Sequence, residues 1–525
     1  MKRFGVFNVT GWVVLSVATC LKTAWAGEPP DYRAEAERAI DAFDATGLVA
    51  TVMIDGDIVY LDAFGKANEV TDAPVTTDML FPIASISKAF TATALAILVD
   101  RGLVEWDAPI KTYIPEFEMY DPWVTENFSV RDALTHRSGL PLGAGDLLFW
   151  PDGEGSLEDV LKALPHLKPT TGFRSEYAYD NLLYVVAGDV VTRASGKNWD
   201  EFVTKELFKP LGMKNCAANG ARIKRGKPVV TGHERSPGDA EGTPMSDLTK
   251  FPDWLAPAGG IYCPAGDMMK WAQFWFDGGL TQKGKRLLSE EQVREVWEGV
   301  TPIKPRAPVA DSKLSNLALY ALGWRVLDFD GSLLVEHSGG APGVASNFIL
   351  LPEKKAAIFA SSNDYRQTAH AWTYQIADML IDGQDADLTQ QFGDGFAAQL
   401  DDAKDTVSSA AEPPEDAAAP TLGLAEYAGV YRDAWYGDVT ITNNVDGLAI
   451  DMSRSELLDG PLSHYDGDQF VAFWPDRTLK ADAFVNFVVE DGVVTGMTMK
   501  AVSDITDFSY DFHHLDLKRV RASAE

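Results

Sequence analysis

Positive charge is scarce in this chain. Its 525 residues carry 46 lysines and arginines against 77 aspartates and glutamates, a formal net charge of -31. Nucleic acid and anionic membrane surfaces would repel it, so neither is expected as a partner. The excess acid reads as solvated surface. Cysteine is scarcer, at three residues. Cys20 lies in the leader described next, which leaves Cys216 and Cys263, and spacing alone does not pair them. The eight histidines and three cysteines show no zinc spacing, and there is neither an HExxH run nor a glycine-rich phosphate loop. No metal or other cofactor is expected. The apolar stretch Trp12 to Leu21 is too short for a comfortable membrane span. With Lys2 and Arg3 before it and Ala24-Trp25-Ala26 after it, it reads as a secretory signal over residues 1–26. Thr19 is a poor fit to lipid attachment at Cys20. The expected location is periplasmic or secreted, with no stable membrane span once the leader is gone.

Hydrophobic residues make up 46% and charged residues 23% of the chain, an ordinary globular mixture long enough for two or three domains. Residues 31 to 45 read as an amphipathic helix. Leu48 to Ile54 and Ile58 to Phe64 read as strands joined by the hairpin signal Asp55-Gly56-Asp57. Helices and long loops fill residues 103 to 300, including apolar helices over Asn181 to Ala194 and Asp267 to Phe276. Strand signals return at Leu322 to Leu327, Leu333 to His337, Ser346 to Leu351 and Ala356 to Ser361. A helix over 368 to 382 follows. Strands at both ends and helices between them predict an α/β (α+β) domain over 31–385: one antiparallel sheet flanked by helices, with a helical lobe inserted. Residues 386–421, rich in Ala, Pro and acid, read as a linker. Short alternating strands over 422–520 predict a small antiparallel barrel.

The chemistry centres on Phe81-Pro82-Ile83-Ala84-Ser85-Ile86-Ser87-Lys88, which opens the apolar helix Ala89 to Val99. Ser85 and Lys88 are three residues apart, so on a helix they share a face. The serine lies at the positive end of the helix dipole. A buried lysine loses solvation, and its pKa falls toward neutrality. Taken alone, the pair reads equally well as a helix cap beside a solvent-facing lysine. Two other motifs, each occurring once, change that balance. Tyr179-Asp180-Asn181 precedes the second apolar helix, and His337-Ser338-Gly339-Gly340 ends a strand. Ser85 would attack a carbonyl. Lys88, or Tyr179 as a phenolate, would take its proton. The N–H groups of Ser85 and Gly340 would form an oxyanion hole. Asn181 would donate to a substrate amide or to Lys88, and His337 would line the acyl or leaving-group side. His136 reads as a loop anchor.

With Leu134-Thr135-His136-Arg137-Ser138-Gly139-Leu140-Pro141 and His337-Ser338-Gly339-Gly340-Ala341-Pro342-Gly343, these motifs resemble the serine β-lactamase-like hydrolases. That group includes class C β-lactamases, D-alanyl-D-alanine carboxypeptidases, D-aminopeptidases and esterases. The resemblance spans about residues 35 to 385. It implies an acyl-serine enzyme without metal, with Ser85 as nucleophile and Lys88 and Tyr179 as the acid/base pair. It places Asn181, His337, Ser338, Gly339 and Gly340 at the substrate. The tail resembles the lipocalin-like domain appended to some of these peptidases.

One departure bears on substrate. Many such enzymes have Lys-Thr-Gly where this chain has His337-Ser338-Gly339. A histidine, with a reference pKa near ~6.5, is mostly neutral at pH 7. It would hold a free carboxylate less firmly than lysine does. The expectation is therefore a peptidase acting on a short peptide, rather than an efficient β-lactamase. The alternatives are a carboxylesterase or a β-lactamase or penicillin-binding enzyme on the same scaffold, or a non-catalytic binder of peptidoglycan fragments. The barrel could bind a ligand, cover the cleft or mediate assembly.

Overall fold

The computed structural model describes residues 30–234, 242–245, 251–312, 314–381, 383 and 386–520. The leader expected over residues 1–26 lies outside the described residues. Helix α1 (Tyr32–Phe43) is followed by the hairpin of β1 (Gly47–Ile54) and β2 (Asp57–Asn68). Asp55 and Gly56 both have positive φ at its turn, as a two-residue connection matching strand twist requires. The strands β3 (Ala73–Pro74), β4 (Thr301–Ile303), β5 (Ala318–Tyr320), β6 (Arg325–Phe329), β7 (Ser332–Ala341), β8 (Val344–Leu351) and β9 (Ala356–Ser362) complete the sheet. Its order is β3-β2-β1-β9-β8-β7-β6-β5-β4, with antiparallel pairing. The two chain ends therefore meet at β1–β9, as the sequence pattern suggested. The strand expected from Leu322 begins three residues later, because Gly323 turns the chain at φ +77°.

Side chains alternate between the two sheet faces. Leu48, Ala50 and Val52 of β1 join α1, α4 (Thr368–Leu380) and the start of α5 (Leu388–Ala410) in one apolar layer. Val49 and Met53 face the opposite layer, which holds α2 (Ser87–Asp100) and α3 (Leu182–Ser195). Helix α2 is buried nearly all round, Lys88 included.

Most of the segment expected to be a linker is the 23-residue helix α5. Leu388 and Phe392 are buried and share an apolar layer with α4, and the Phe396 ring lies 5.8 Å from Phe43. Those three residues recur every four positions, the spacing of one helix face. Gly393, Gly395 and the acids of 401–405 obscure it.

Beyond α5, eight strands from Gly429–Asp433 to Leu517–Arg519 close into a barrel. Tyr431, Ile441, Ile450, Phe470, Phe487 and Met499 are buried within it. Eight strands leave room for little more than such side chains. Among the described residues, no helix is long and apolar enough to cross a membrane.

Candidate active site

Ser85 lies in a single turn of tighter helix, Ala84–Ile86, immediately before α2. Ala84 has φ +45°, a left-handed conformation that costs a residue with a Cβ about 1–2 kcal/mol. Neighbouring chain holds it there. Phe81 and Pro82 pair with Tyr262 and Cys263, and the Ile83 N–H donates to the Ile261 carbonyl at 2.9 Å. Cys263 is disulfide-bonded to Cys216, the pairing that spacing had left open.

One turn on, Lys88 is fully buried. Its Nζ lies 2.7 Å from Asn181 Oδ1, 2.8 Å from the Ala258 carbonyl and 3.1 Å from Ser85 Oγ. Burial is the main force on it and brings its pKa down to about 7. Asp146 and Asp180 pull the other way. The Tyr179 ring lies 4.7 Å from Lys88 Nζ. Burial raises the Tyr179 pKa, partly offset by a hydrogen bond with Ser85, so Tyr179 is a neutral phenol at physiological pH. His136 lies behind it, ring to ring at 4.2 Å, and its Nδ1 accepts the Asp180 N–H at 3.0 Å. That bond fixes the loop carrying Tyr179 and Asn181.

Gly339 and Gly340 run past the serine on β7. A Cβ on Gly339 would lie 2.2 Å from the Ile83 carbonyl oxygen. Only glycine lets this strand cross so close to the nucleophile turn. Gly340 is exposed to the cleft.

The structure thus brings together Ser85, Lys88, Tyr179, Asn181, Ser338, Gly339 and Gly340. Two expectations change. Asn181 accepts from Lys88, and its amide N–H₂ donates to Asp146 Oδ2 at 2.8 Å. His337 does not line the cleft. It is buried beneath the cleft floor, its ring 6.5 Å from that of Tyr179, with Nε2 2.9 Å from the Tyr320 hydroxyl and Nδ1 2.7 Å from the Ser338 carbonyl. Burial, then Arg325 and Lys88, hold its pKa well below the ordinary value. It therefore stays neutral and carries its Nδ1 proton toward the carbonyl.

Several residues escaped the sequence reading. The Ser338 hydroxyl accepts from Arg306 Nη2 at 2.6 Å and Arg325 Nη1 at 3.1 Å. Both guanidinium groups line the cleft. The buried Glu336 carboxylate lies 3.6 Å from Arg325 and 4.0 Å from Arg306. Two cations against one anion leave net positive charge facing the substrate side. The missing lysine was therefore only half of the local electrostatics. No motif surrounds Arg306, Arg325 or Asp146, and only the fold makes them neighbours of Ser85.

The cleft has a volume of about 930 Å³ and three walls. The hydrolase core supplies Ser85, Tyr179 and Gly340. Helix α5 adds Gln399 and Ala403, and the barrel adds Lys480, Ile505 and Phe508. The barrel is thus part of the site. Among the described residues, no group of three His, Cys, Asp or Glu side chains is arranged to hold a metal ion.

Residues 36–423 match the beta-lactamase family. Residues 413–519 match a domain of unknown function (DUF3471). Unguisins hydrolase ungD' of Aspergillus campestris (strain IBT 28561) is 26% identical over 448 residues, which cover 80% of this chain and 79% of that protein. The D-alanyl-D-alanine-carboxypeptidase/endopeptidase AmpH of Escherichia coli (strain K12) is 24% identical over 323 residues, 60% of this chain and 78% of its own. The octameric penicillin-binding protein homologue from Pyrococcus abyssi shares the fold with a TM-score of 0.57 at 17% identity, covering 92% of this chain and 97% of that one. With a family match over most of its length, the chain belongs to the beta-lactamase family and is a serine hydrolase with a C-terminal β-barrel.

Proposed function

We propose that this hydrolase cleaves amide bonds of peptides through an acyl-Ser85 intermediate, in preference to β-lactams. The observation that carries the mechanism is the set of three partners around Lys88. As an ammonium, Lys88 can donate to both carbonyl oxygens and to Ser85 Oγ. As a neutral amine it keeps both carbonyl bonds and turns its lone pair to the serine hydroxyl. Either charge state is satisfied without moving a heavy atom, as a proton carrier requires.

In the first step Lys88 takes the Ser85 proton while Oγ attacks the substrate carbonyl. The Ser85 and Gly340 N–H groups receive the developing oxyanion. Tyr179, held neutral by burial, donates a proton to the leaving amine and takes one back from Lys88, which returns to the neutral amine. Water then releases the acyl group. An amine leaves poorly unless protonated, so a phenol in that place supports amide over ester substrates. The relative named carboxypeptidase/endopeptidase supports the same reading. Arg306 and Arg325, acting with Ser338, would hold a carboxylate or other polar end of the peptide. The cleft extends to the barrel and α5, and contacts that far from the serine favour a substrate longer than a β-lactam nucleus. A periplasmic or secreted setting belongs to this reading, because structural disulfides such as Cys216–Cys263 occur chiefly in oxidising compartments.

The test is a panel of peptides, D-amino acid amides, esters and β-lactams, with Ser85→Ala as control. Peptide amides should turn over fastest, and Ser85→Ala should lose about a thousandfold or more. Faster saturable hydrolysis of β-lactams, or of esters with no amide cleavage, would overturn the substrate assignment.

A further inference from the structure

Three consecutive barrel residues, Asp507, Phe508 and Ser509, approach the catalytic groups. Asp507 Oδ2 accepts from the Tyr365 hydroxyl at 2.7 Å. Tyr365 in turn stands beside Gly340: a Cβ there would lie 2.7 Å from its ring. The Phe508 ring stands edge-on to Tyr179 at 5.8 Å. Ser509 reaches furthest. Its buried hydroxyl donates to Asp146 Oδ2 at 2.9 Å. That same oxygen accepts the Asn181 amide at 2.8 Å, and Asn181 Oδ1 accepts from Lys88 at 2.7 Å.

An asparagine side chain can present either its oxygen or its N–H₂ to a neighbour. Asp146 Oδ2 settles which: it accepts the amide N–H₂, so the amide oxygen must face Lys88. Turned the other way, Asn181 would point a donor at the lysine, and Lys88 would lose one of its two carbonyl partners. Asp146 is buried, and its Oδ1 has no hydrogen-bond partner. Oδ2 therefore carries the whole connection, held on one side by Asn181 and on the other by Ser509.

We propose that Ser509 of the barrel and Asp146 of the helical lobe are positioning residues that orient Asn181, and through it Lys88. The proposal rests on the reading of Ser85 and Lys88 as the catalytic pair, and goes beyond it by making the C-terminal barrel a working part of the proton-transfer site. Neither residue needs to touch the substrate for this role.

The test uses the full chain with three substitutions, Ser509→Ala, Ser509→Val and Ser509→Thr. Valine and threonine have the same shape and differ by the hydroxyl. A small fluorophosphonate probe reports the acylation rate of Ser85 without needing the distant walls of the cleft. Wild type should be labelled and Ser85→Ala should not; an unlabelled wild type overturns the catalytic pair and the relay with it. Given labelling, Ser509→Ala and Ser509→Val should react about tenfold more slowly, and Ser509→Thr close to wild type. With a peptide substrate the loss should fall on kcat, leaving KM near its wild-type value. Ser455→Ala is the control, since it removes a different barrel contact, to Asp152, and should label at the wild-type rate. The proposal is overturned if Ser509→Ala and Ser509→Val label at the wild-type rate. It is also overturned if threonine is as slow as valine, or if the loss falls on KM alone.

Discussion

Lys88 has three hydrogen-bond partners and no water-facing surface, so its charge state is set by the protein around it. Burial favours the neutral amine and brings the pKa down to about 7. The acting base is the neutral form, which grows as pH rises. The rate of Ser85 acylation should therefore climb through pH 7 as a single-proton step and level off above it. A rate unchanged between about pH 5.5 and 8.5 would remove Lys88 from that role. Lys88→Arg, which stays charged, should lose about a thousandfold in acylation rate. Arg306 permits a second check. Arg306→Ala should raise KM about tenfold for a peptide with a free terminal carboxylate, and leave the amide-capped form nearly unchanged. Equal effects on both peptides would mean that Arg306 holds Ser338 rather than substrate. At this scale the sequence was partly legible. Ser85 and Lys88 share one helix face, so spacing alone could pair them. Asn181 could be named, but not the direction of its hydrogen bond, which depends on Asp146, 35 residues upstream. His337 was placed at the substrate because its motif runs along the cleft. In a strand, alternate side chains point to opposite faces, so His337 shares the face of Gly339 against the nucleophile turn, but its ring is buried there against Tyr320 while Ser338 lines the cleft.

The nucleophile turn is held by a short element with little stability of its own. Tyr262–Cys263 pairs with Phe81–Pro82 on one side. On the other, Ala217 and Tyr262 exchange backbone hydrogen bonds at 2.8 and 2.9 Å. A two-residue strand contributes few bonds, and the Cys216–Cys263 link holds it against the unfolded chain. For a sequence separation of 47 residues, loop-closure entropy puts the link at about 4 kcal/mol at 25 °C. Replacing both cysteines by serine should lower stability by roughly 2–4 kcal/mol, read as a lower urea midpoint, and the folded variant should still label at Ser85. An unchanged midpoint would show that the strand holds without the bond. The hairpin β1–β2 was legible because its turn is local: Asp55 and Gly56 supply the two positive φ angles themselves. Helix α5 was not, because its identity rests on Leu388, Phe392 and Phe396 meeting α1 and α4. Those partners lie hundreds of residues away or in the preceding helix, while its local composition is that of a solvated linker.

The barrel and the hydrolase core look like separate units in the sequence, yet they share one apolar core running from Val49 and Leu95 to Phe487 and Leu517. Polar groups cross the same boundary. Both carboxylate oxygens of the buried Asp511 accept backbone N–H groups of the lobe, Gly145 at 2.7 Å and Leu147 at 3.1 Å. The Trp150 and Tyr510 rings meet at 6.3 Å, and Lys480 pairs with Glu234. If the barrel unfolded alone, the lobe would exchange two hydrogen bonds for water, a net loss of about 0.5–1.5 kcal/mol each, and would uncover an apolar face besides. The barrel would leave Asp511 without those partners. Partial unfolding is therefore costly from either side, and the two units should melt together. Calorimetry on the full chain should show one transition with matching calorimetric and van't Hoff enthalpies. That outcome is not the default for 525 residues, since large multidomain chains commonly melt in steps. Two resolved transitions would mean that the shared core is too weak to couple the units. The barrel would then be a detachable wall, and the geometry it imposes on Asp146 would be lost well before the hydrolase core unfolds.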